Sequence, residues 1–290
     1  MNRFKARTAI FIFMVIITCG GPLPAVEMNP GLEMEAGFRT VLSSQSSDTW
    51  LYYRPFLDIG CRTDYFGIYA GYAANVNFRI FDVESAYRDI SLHTTSVNIE
   101  LYPIGGLSAG FDFHYVIGEA SYSGTEYTAS IGYDFTKISI LGEFSYSAWD
   151  YLLNGSSTDN MSYAVYGELA YNALENFSID LSYTHMYYKS DELGIDIRKN
   201  VFRPGLMAGM KNVVYFLGGV GLGWAEETFV AGFDAGINIY PWKYLKISLL
   251  YIFSYNKDLD PDVINNTAFS SPDESYDEHR FLVGISFVVR

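Results

Sequence analysis

From Gly31 to the C-terminus the chain alternates apolar and polar residues with a period of two. A strand puts successive side chains on opposite faces, so this pattern specifies half-buried β-strands and little else. Phe66, Ile68, Ala70, Tyr72, Ala74, Val76 and Phe78 alternate with Gly67, Tyr69, Gly71, Ala73, Asn75 and Asn77, and 107–115, 229–239 and 281–289 follow the same rule. The pattern predicts strands near 31–41, 50–61, 65–80, 91–102, 106–119, 125–135, 137–148, 161–172, 177–189, 199–211, 213–224, 228–240, 244–256 and 279–290. That is about fourteen strands, or twelve if a weak pair is loop. Their length suffices to cross a bilayer core, which takes about 9–11 tilted residues. No apolar stretch long enough for a membrane helix occurs beyond the N-terminus.

The connections alternate in character. Arg62-Thr63-Asp64, Pro103-Ile104-Gly105, Thr136-Lys137, Ala173-Leu174-Glu175-Asn176, Lys211-Asn212 and Pro241-Trp242-Lys243 are short. The others, 42–49, 81–90, 149–160, 190–198 and 257–278, are mostly longer and more polar, although those near 120–124 and 225–227 are short. Short turns at one end and longer loops at the other is the sidedness of a barrel in a bacterial outer membrane, with extracellular loops and periplasmic termini.

Charge selects one face. No Asp, Glu, Lys or Arg is expected on the apolar face. The other face carries Glu33, Glu35, Arg39, Arg54, Asp58, Arg79, Glu100, Asp112, Asp134, Glu143, Glu168, Asp180, Arg203, Asp234, Lys246 and Arg280, ten acids against six bases. A soluble lipocalin-like barrel would turn the same alternation inside out. Two features oppose that: about fourteen strands enclose more space than side chains fill, and aromatics gather at both strand ends as two interfacial girdles. With 25 Tyr and 21 Phe, the chain has ample aromatic residues for such girdles. The net charge of −14 argues against nucleic-acid binding.

Residues 1–25 read as a signal peptide. Arg3, Lys5 and Arg7 precede the apolar run 9–18, with small and turn-forming residues through Ala25. The barrel domain is then 26–290. The alternative is a lipobox at Ile16-Ile17-Thr18-Cys19, which makes Cys19 a lipidated N-terminus. Cleavage after Ala25 leaves Cys61 alone, so no internal disulfide is expected.

Val283-Gly284-Ile285-Ser286-Phe287-Val288-Val289 resembles the C-terminal insertion signal of outer-membrane barrels, with Gly284, Phe287 and Val289 as its key positions. Arg290 departs from that signal, standing where a terminal Phe is common. In architecture, 26–290 resembles the small monomeric porins of about fourteen strands. The resemblance implies an all-β, up-and-down antiparallel transmembrane barrel, monomeric, handled by periplasmic chaperones and the barrel-assembly machinery. It also implies contact with outer-membrane lipid and passage of small solutes.

Few residues suggest chemistry. Asp112 and His114 lie two apart on the charged face, and at that one spot the chain resembles the omptin-type outer-membrane proteases. The bland reading is two polar wall residues among many. His185 and His93 fall on the apolar face near an interface, and His279 begins the last strand. Asp258-x-Asp260-x-Asp262 offers oxygen ligands but lacks the Gly and downstream Glu of a calcium loop, so a solvated acidic loop is the simpler reading. Neither a metal nor a cofactor is expected. The charged set, with His114, is read as pore-lining, and its acidic excess predicts a mildly cation-selective channel. Arg39, Arg54, Arg79 and Arg203 are expected to face acids across the constriction. The competing functions are an outer-membrane protease or lipid hydrolase, and a structural or adhesive barrel with a closed lumen.

Overall fold

The computed structural model describes residues 25–41, 46–79, 91–103, 105–118, 123–153, 156–191, 195–210, 213–257 and 276–288. Residues 1–24 of the signal segment with Cys19, most of the 257–278 loop with Asp258, Asp260 and Asp262, and Val289 lie outside these residues.

Fourteen strands form: β1 (Ala25–Val41), β2 (Ser46–Arg62), β3 (Phe66–Arg79), β4 (Ser91–Leu101), β5 (Leu107–Gly118), β6 (Ser123–Asp134), β7 (Ile138–Leu153), β8 (Ser156–Leu174), β9 (Phe177–Ser190), β10 (Ile195–Met210), β11 (Val214–Ala225), β12 (Thr228–Trp242), β13 (Leu245–Lys257) and β14 (Tyr276–Val288). Each pairs antiparallel with its sequence neighbours, and β14 closes on β1. The closing ladder runs from Gly31 opposite Val288 to Val41 opposite Glu278. No sheet edge remains, which is the condition for strands to cross hydrocarbon, where an unpaired N–H or C=O finds no water.

The strand count and order match the sequence reading, but several strand ends do not. Much of 42–49, 149–160 and 190–198, expected as loop, is strand. Thus β7 and β8 stay paired as far as Leu153 opposite Ser156, and β9 and β10 as far as Ser190 opposite Ile195. Polar residues in water satisfy the same ladder as apolar ones in lipid, so a hairpin outlasts the hydrophobic alternation that betrays it.

The two faces separate as expected. Large apolar side chains stand exposed along one parity of the strands, among them Leu57, Tyr72, Phe111, Ile131, Phe144, Val165, Leu181, Leu206, Val220, Phe233 and Val283. Ile131, 60% exposed, belongs to this continuous apolar surface, which is far larger than a scatter of single exposed residues and fits a lipid-facing wall. Rings pack against one another at both ends of this outer face, within the turns at one end and between strands at the other. Tyr133 meets Phe135 at 4.4 Å and Trp242 meets Tyr244 at 5.0 Å near the short turns. Phe113 meets Tyr127 at 5.0 Å and Tyr163 meets Tyr187 at 5.1 Å toward the other end.

One correction concerns charge. Lys189 shares the outward parity of β9 and pairs with Asp191 at 2.7 Å, and Arg198 of β10 lies over the Tyr187 ring at 5.7 Å. Both stand at the loop end, one step beyond the aromatic belt, where a cation costs little.

Candidate functional site

The site is the inner wall, and its rows follow from the register. Asp180 of β9 stands opposite Gly205 of β10, Gly205 opposite Gly219 of β11, and Gly219 opposite Asp234 of β12. Arg203 lies along this row. Its Nε and Nη2 donate to the two carboxylate oxygens of Asp234 at 2.9 and 2.8 Å, and Nη1 reaches Asp180 at 3.4 Å. A Cβ on Gly219 would sit 2.4 Å from Arg203 Cζ, so this glycine provides the trough the guanidinium occupies. An arginine of β10 gripping an aspartate of β12 fits the concave side, where side chains converge.

The remaining charged residues form smaller groups. Arg54 Nη1 donates to Glu33 Oε2 at 3.1 Å on the adjoining strand. Asp58 faces Gly71, which faces Ser96. Asn98 donates to Asp112, and Tyr166 donates to Glu168. Glu143 stands opposite Ser130 and Tyr166. Asp134 stands opposite Ser139 at the short-turn end, and Lys246 opposite Ser286. Tyr102, one residue past β4, donates to Glu100 Oε2 at 2.7 Å, and that bond, then partial desolvation, raises its phenol above the usual range. Arg280 pairs in register with Arg39 and Ile252. Glu35 and Arg79 are placed by backbone register alone, opposite Gly284 and Trp50. Gly284 and Phe287 lie in β14, with the Phe287 ring 6.1 Å from that of Trp242.

Two expectations change. Arg54 and Arg203 meet their acids along the wall, on neighbouring or next-neighbouring strands, not across the opening. The inner face is also less uniformly polar than its charges suggested. Phe56 covers Gly31, whose Cβ would fall 2.1 Å from the ring. Trp149, Asn160 and Ser190 form one cross-strand row. There Trp149 stacks on Tyr188 at 5.8 Å, Tyr188 donates to Asn160 Oδ1 at 3.2 Å, and Asn160 donates to the Trp149 carbonyl at 3.2 Å. All four residues are buried. Parity alone would have put Trp149 inside with Glu143, but 149–160 read as loop.

His114 stands between Ser96 of β4 and Glu126 of β6. These are the residue types of a hydrolase, yet among the described residues no hydrogen bond joins them; an added Cβ on Gly71 would meet Ser96 Oγ at 2.4 Å and Asp58 Oδ1 at 2.3 Å, which turns that hydroxyl toward β3. The other histidines belong to the outer face, as expected for His93 and His185, and His279 joins them there. His93 Nδ1 is 2.7 Å from the Tyr72 hydroxyl, His185 Nδ1 is 2.8 Å from Asn200 Oδ1, and His279 Nδ1 is 2.7 Å from the Tyr251 hydroxyl.

No protein-family model and no curated protein sequence matches the chain. Solved structures do. An anion-selective porin from Comamonas acidovorans superposes with a TM-score of 0.52 at 14% identity, covering 91% of this chain and 99% of that one. The CymD monoaromatic hydrocarbon channel gives 0.53 at 10% identity over 90% and 87%. OmpT, an outer membrane protein of Vibrio cholerae, gives 0.51 at 10% identity over 91% and 97%. The fold is therefore that of the outer-membrane porins and channels, a closed antiparallel barrel of fourteen strands, and it fits an outer-membrane location.

Proposed function

We propose that this protein is an outer-membrane channel through which small solutes diffuse passively, with a mild preference for cations. One observation carries the selectivity. From β4 through β9 the inward positions hold Glu100, Asp112, Glu126, Asp134, Glu143, Glu168 and Asp180 and, among the described residues, no Lys or Arg. The inward bases are confined to β1–β3, β10, β13 and β14, where Arg54 and Arg203 are already matched to carboxylates. Asp180 is reached by Arg203, but the described charged residues of this stretch of wall are otherwise all acids, and such a wall concentrates cations beside it and repels anions. Width supports the channel itself: fourteen strands at about 4.8 Å spacing and about 40° tilt enclose roughly 28 Å between backbone walls. In this reading Glu33, Glu35, Arg39, Arg54, Asp58, Arg79, His114, Asp234, Lys246 and Arg280 also contact the permeating solution.

The same reading places the loops outside the cell and both termini in the periplasm. Residues 1–25 direct export, and Gly284, Phe287 and Val289 present the last strand to chaperones and the assembly machinery. The barrel acts as a monomer in outer-membrane lipid and needs no cofactor.

Refolded protein in a planar bilayer under a salt gradient tests this. Discrete openings with a reversal potential favouring cations support it. A folded, heat-modifiable barrel that passes no current removes it. The alternation Ser96–His114–Glu126 keeps one second reading in view, a hydrolase. Peptide or lipid hydrolysis that vanishes on His114→Ala would establish it in place of the channel.

A further inference from the structure

Near the short-turn end, where β11 to β14 meet β1, a cavity of about 350 Å³ is set into the inner wall. Register and glycine together shape it. Leu250 stands opposite Leu282 on β14 and Gly236 on β12, and Gly236 stands opposite Leu217 on β11. One row nearer the turns, Ser248 stands opposite Gly284 and Asn238. Gly284 leaves a gap among larger neighbours, its nearest side-chain atom to an added Cβ being Ser248 Cβ at 3.6 Å, while Leu250 lies over Gly236, where a Cβ would sit 3.0 Å from Leu250 Cδ1. In the next row Lys246 stands opposite Ser286, which stands opposite Glu33. The cavity thus passes from an apolar floor of three leucines, through hydroxyls and a carboxamide, to a charged rim.

The two rim charges differ in what they are free to do. Glu33 is held by Arg54 at 3.1 Å. Lys246 has no carboxylate or hydrogen-bond partner among the described residues. A cation left unmatched in a wall with an acidic excess, beside neutral donors and over leucine, is complementary to an anion with an apolar body. We propose that this cavity is a binding subsite for small amphipathic carboxylates. The carboxylate sits on Lys246 Nζ and accepts from the Ser248 and Ser286 hydroxyls, while the apolar body covers Leu217, Leu250 and Leu282. The volume lies at the lower end of the range for small-molecule pockets, about 300–1,000 Å³, which suits a single-ring solute and not an oligomer. The subsite rests on the channel reading in one respect: the solute reaches it through the lumen.

Benzoate is the probe, with acetate (charge without body) and benzyl alcohol (body without charge) as controls, each titrated against the refolded full chain in detergent by equilibrium dialysis. Saturable benzoate binding, with both controls at least about tenfold weaker, is expected. Lys246→Gln should weaken benzoate about tenfold, Lys246→Arg should retain it, and Leu250→Asn should weaken benzoate while leaving acetate unchanged. Heat-modifiable migration verifies that each variant is folded, and the leucine variant carries the test should Lys246→Gln not fold. Absence of saturable benzoate binding, acetate binding equal to benzoate, or equal binding by folded Lys246→Gln overturns the subsite. Bilayer currents on the same preparation separate the two claims. A conducting barrel that ignores benzoate sinks the subsite alone, and a silent barrel that binds benzoate keeps the subsite and sinks the channel.

Discussion

Arg203 and Asp234 face each other across an intervening strand, joined by two hydrogen bonds of 2.9 and 2.8 Å that pass over Gly219. The pair makes a fixed feature of the wall, since a bidentate guanidinium–carboxylate contact sets orientation as well as distance. It also neutralises charge where the acidic wall ends at β9, because the same guanidinium reaches Asp180.

Arg203→Ala should therefore leave Asp180 and Asp234 uncompensated. The expected result is a larger single-channel conductance in potassium chloride and a reversal potential shifted further toward cation preference. The shift should shrink at high salt, where the Debye length falls to about 3 Å at 1 M. Bilayer recordings at two ionic strengths measure both effects.

Gly219→Val keeps every charge but fills the trough, since even a Cβ there would stand 2.4 Å from Arg203 Cζ. Here selectivity should move less than in Arg203→Ala, while stability falls by about 1–2 kcal/mol, the value of a half-exposed charged hydrogen bond. Denaturant titration of the refolded barrel, followed by tryptophan fluorescence, reads the loss.

Ile131 and Ser130 are chain neighbours on opposite faces of β6. Ile131→Arg places a cation against hydrocarbon at a cost of about 2–4 kcal/mol if near the midplane. Ser130→Arg places the same cation opposite Glu143, inside the acidic wall. The first variant should fold poorly into lipid vesicles, whereas the second should fold normally and lower the cation preference. The opposite ranking of folding yields would mean the faces have been assigned the wrong way round, and equal yields would mean that neither face meets hydrocarbon.

Asn160 both accepts from the Tyr188 hydroxyl and donates to the Trp149 carbonyl, with all three residues buried. Asn160→Ala strands two buried polar groups and should cost about 1–3 kcal/mol. Tryptophan emission of the folded variant should shift as the environment of Trp149 changes, a readout that remains if unfolding is irreversible.

The alternation of 281–289 and of 229–239 was enough to place β14 and β12 and to say which of their side chains share a face. Side-chain parity is set within one strand and needs no partner. Strand count, order and the split between Ile131 and Ser130 were legible for the same reason. The long hairpins of β7 with β8 and β9 with β10 were not, because beyond the membrane a polar strand and a polar loop read alike, and Trp149 was lost with them. What only the tertiary structure decided is which inward residues meet. Arg203 reaching Asp234 over Gly219, and Lys246 standing without a partner among the described residues in the rows next to Leu250 and Leu282, depend on the register of three or more strands and on closure of the barrel. Both are collective properties, and no single strand's sequence contains them.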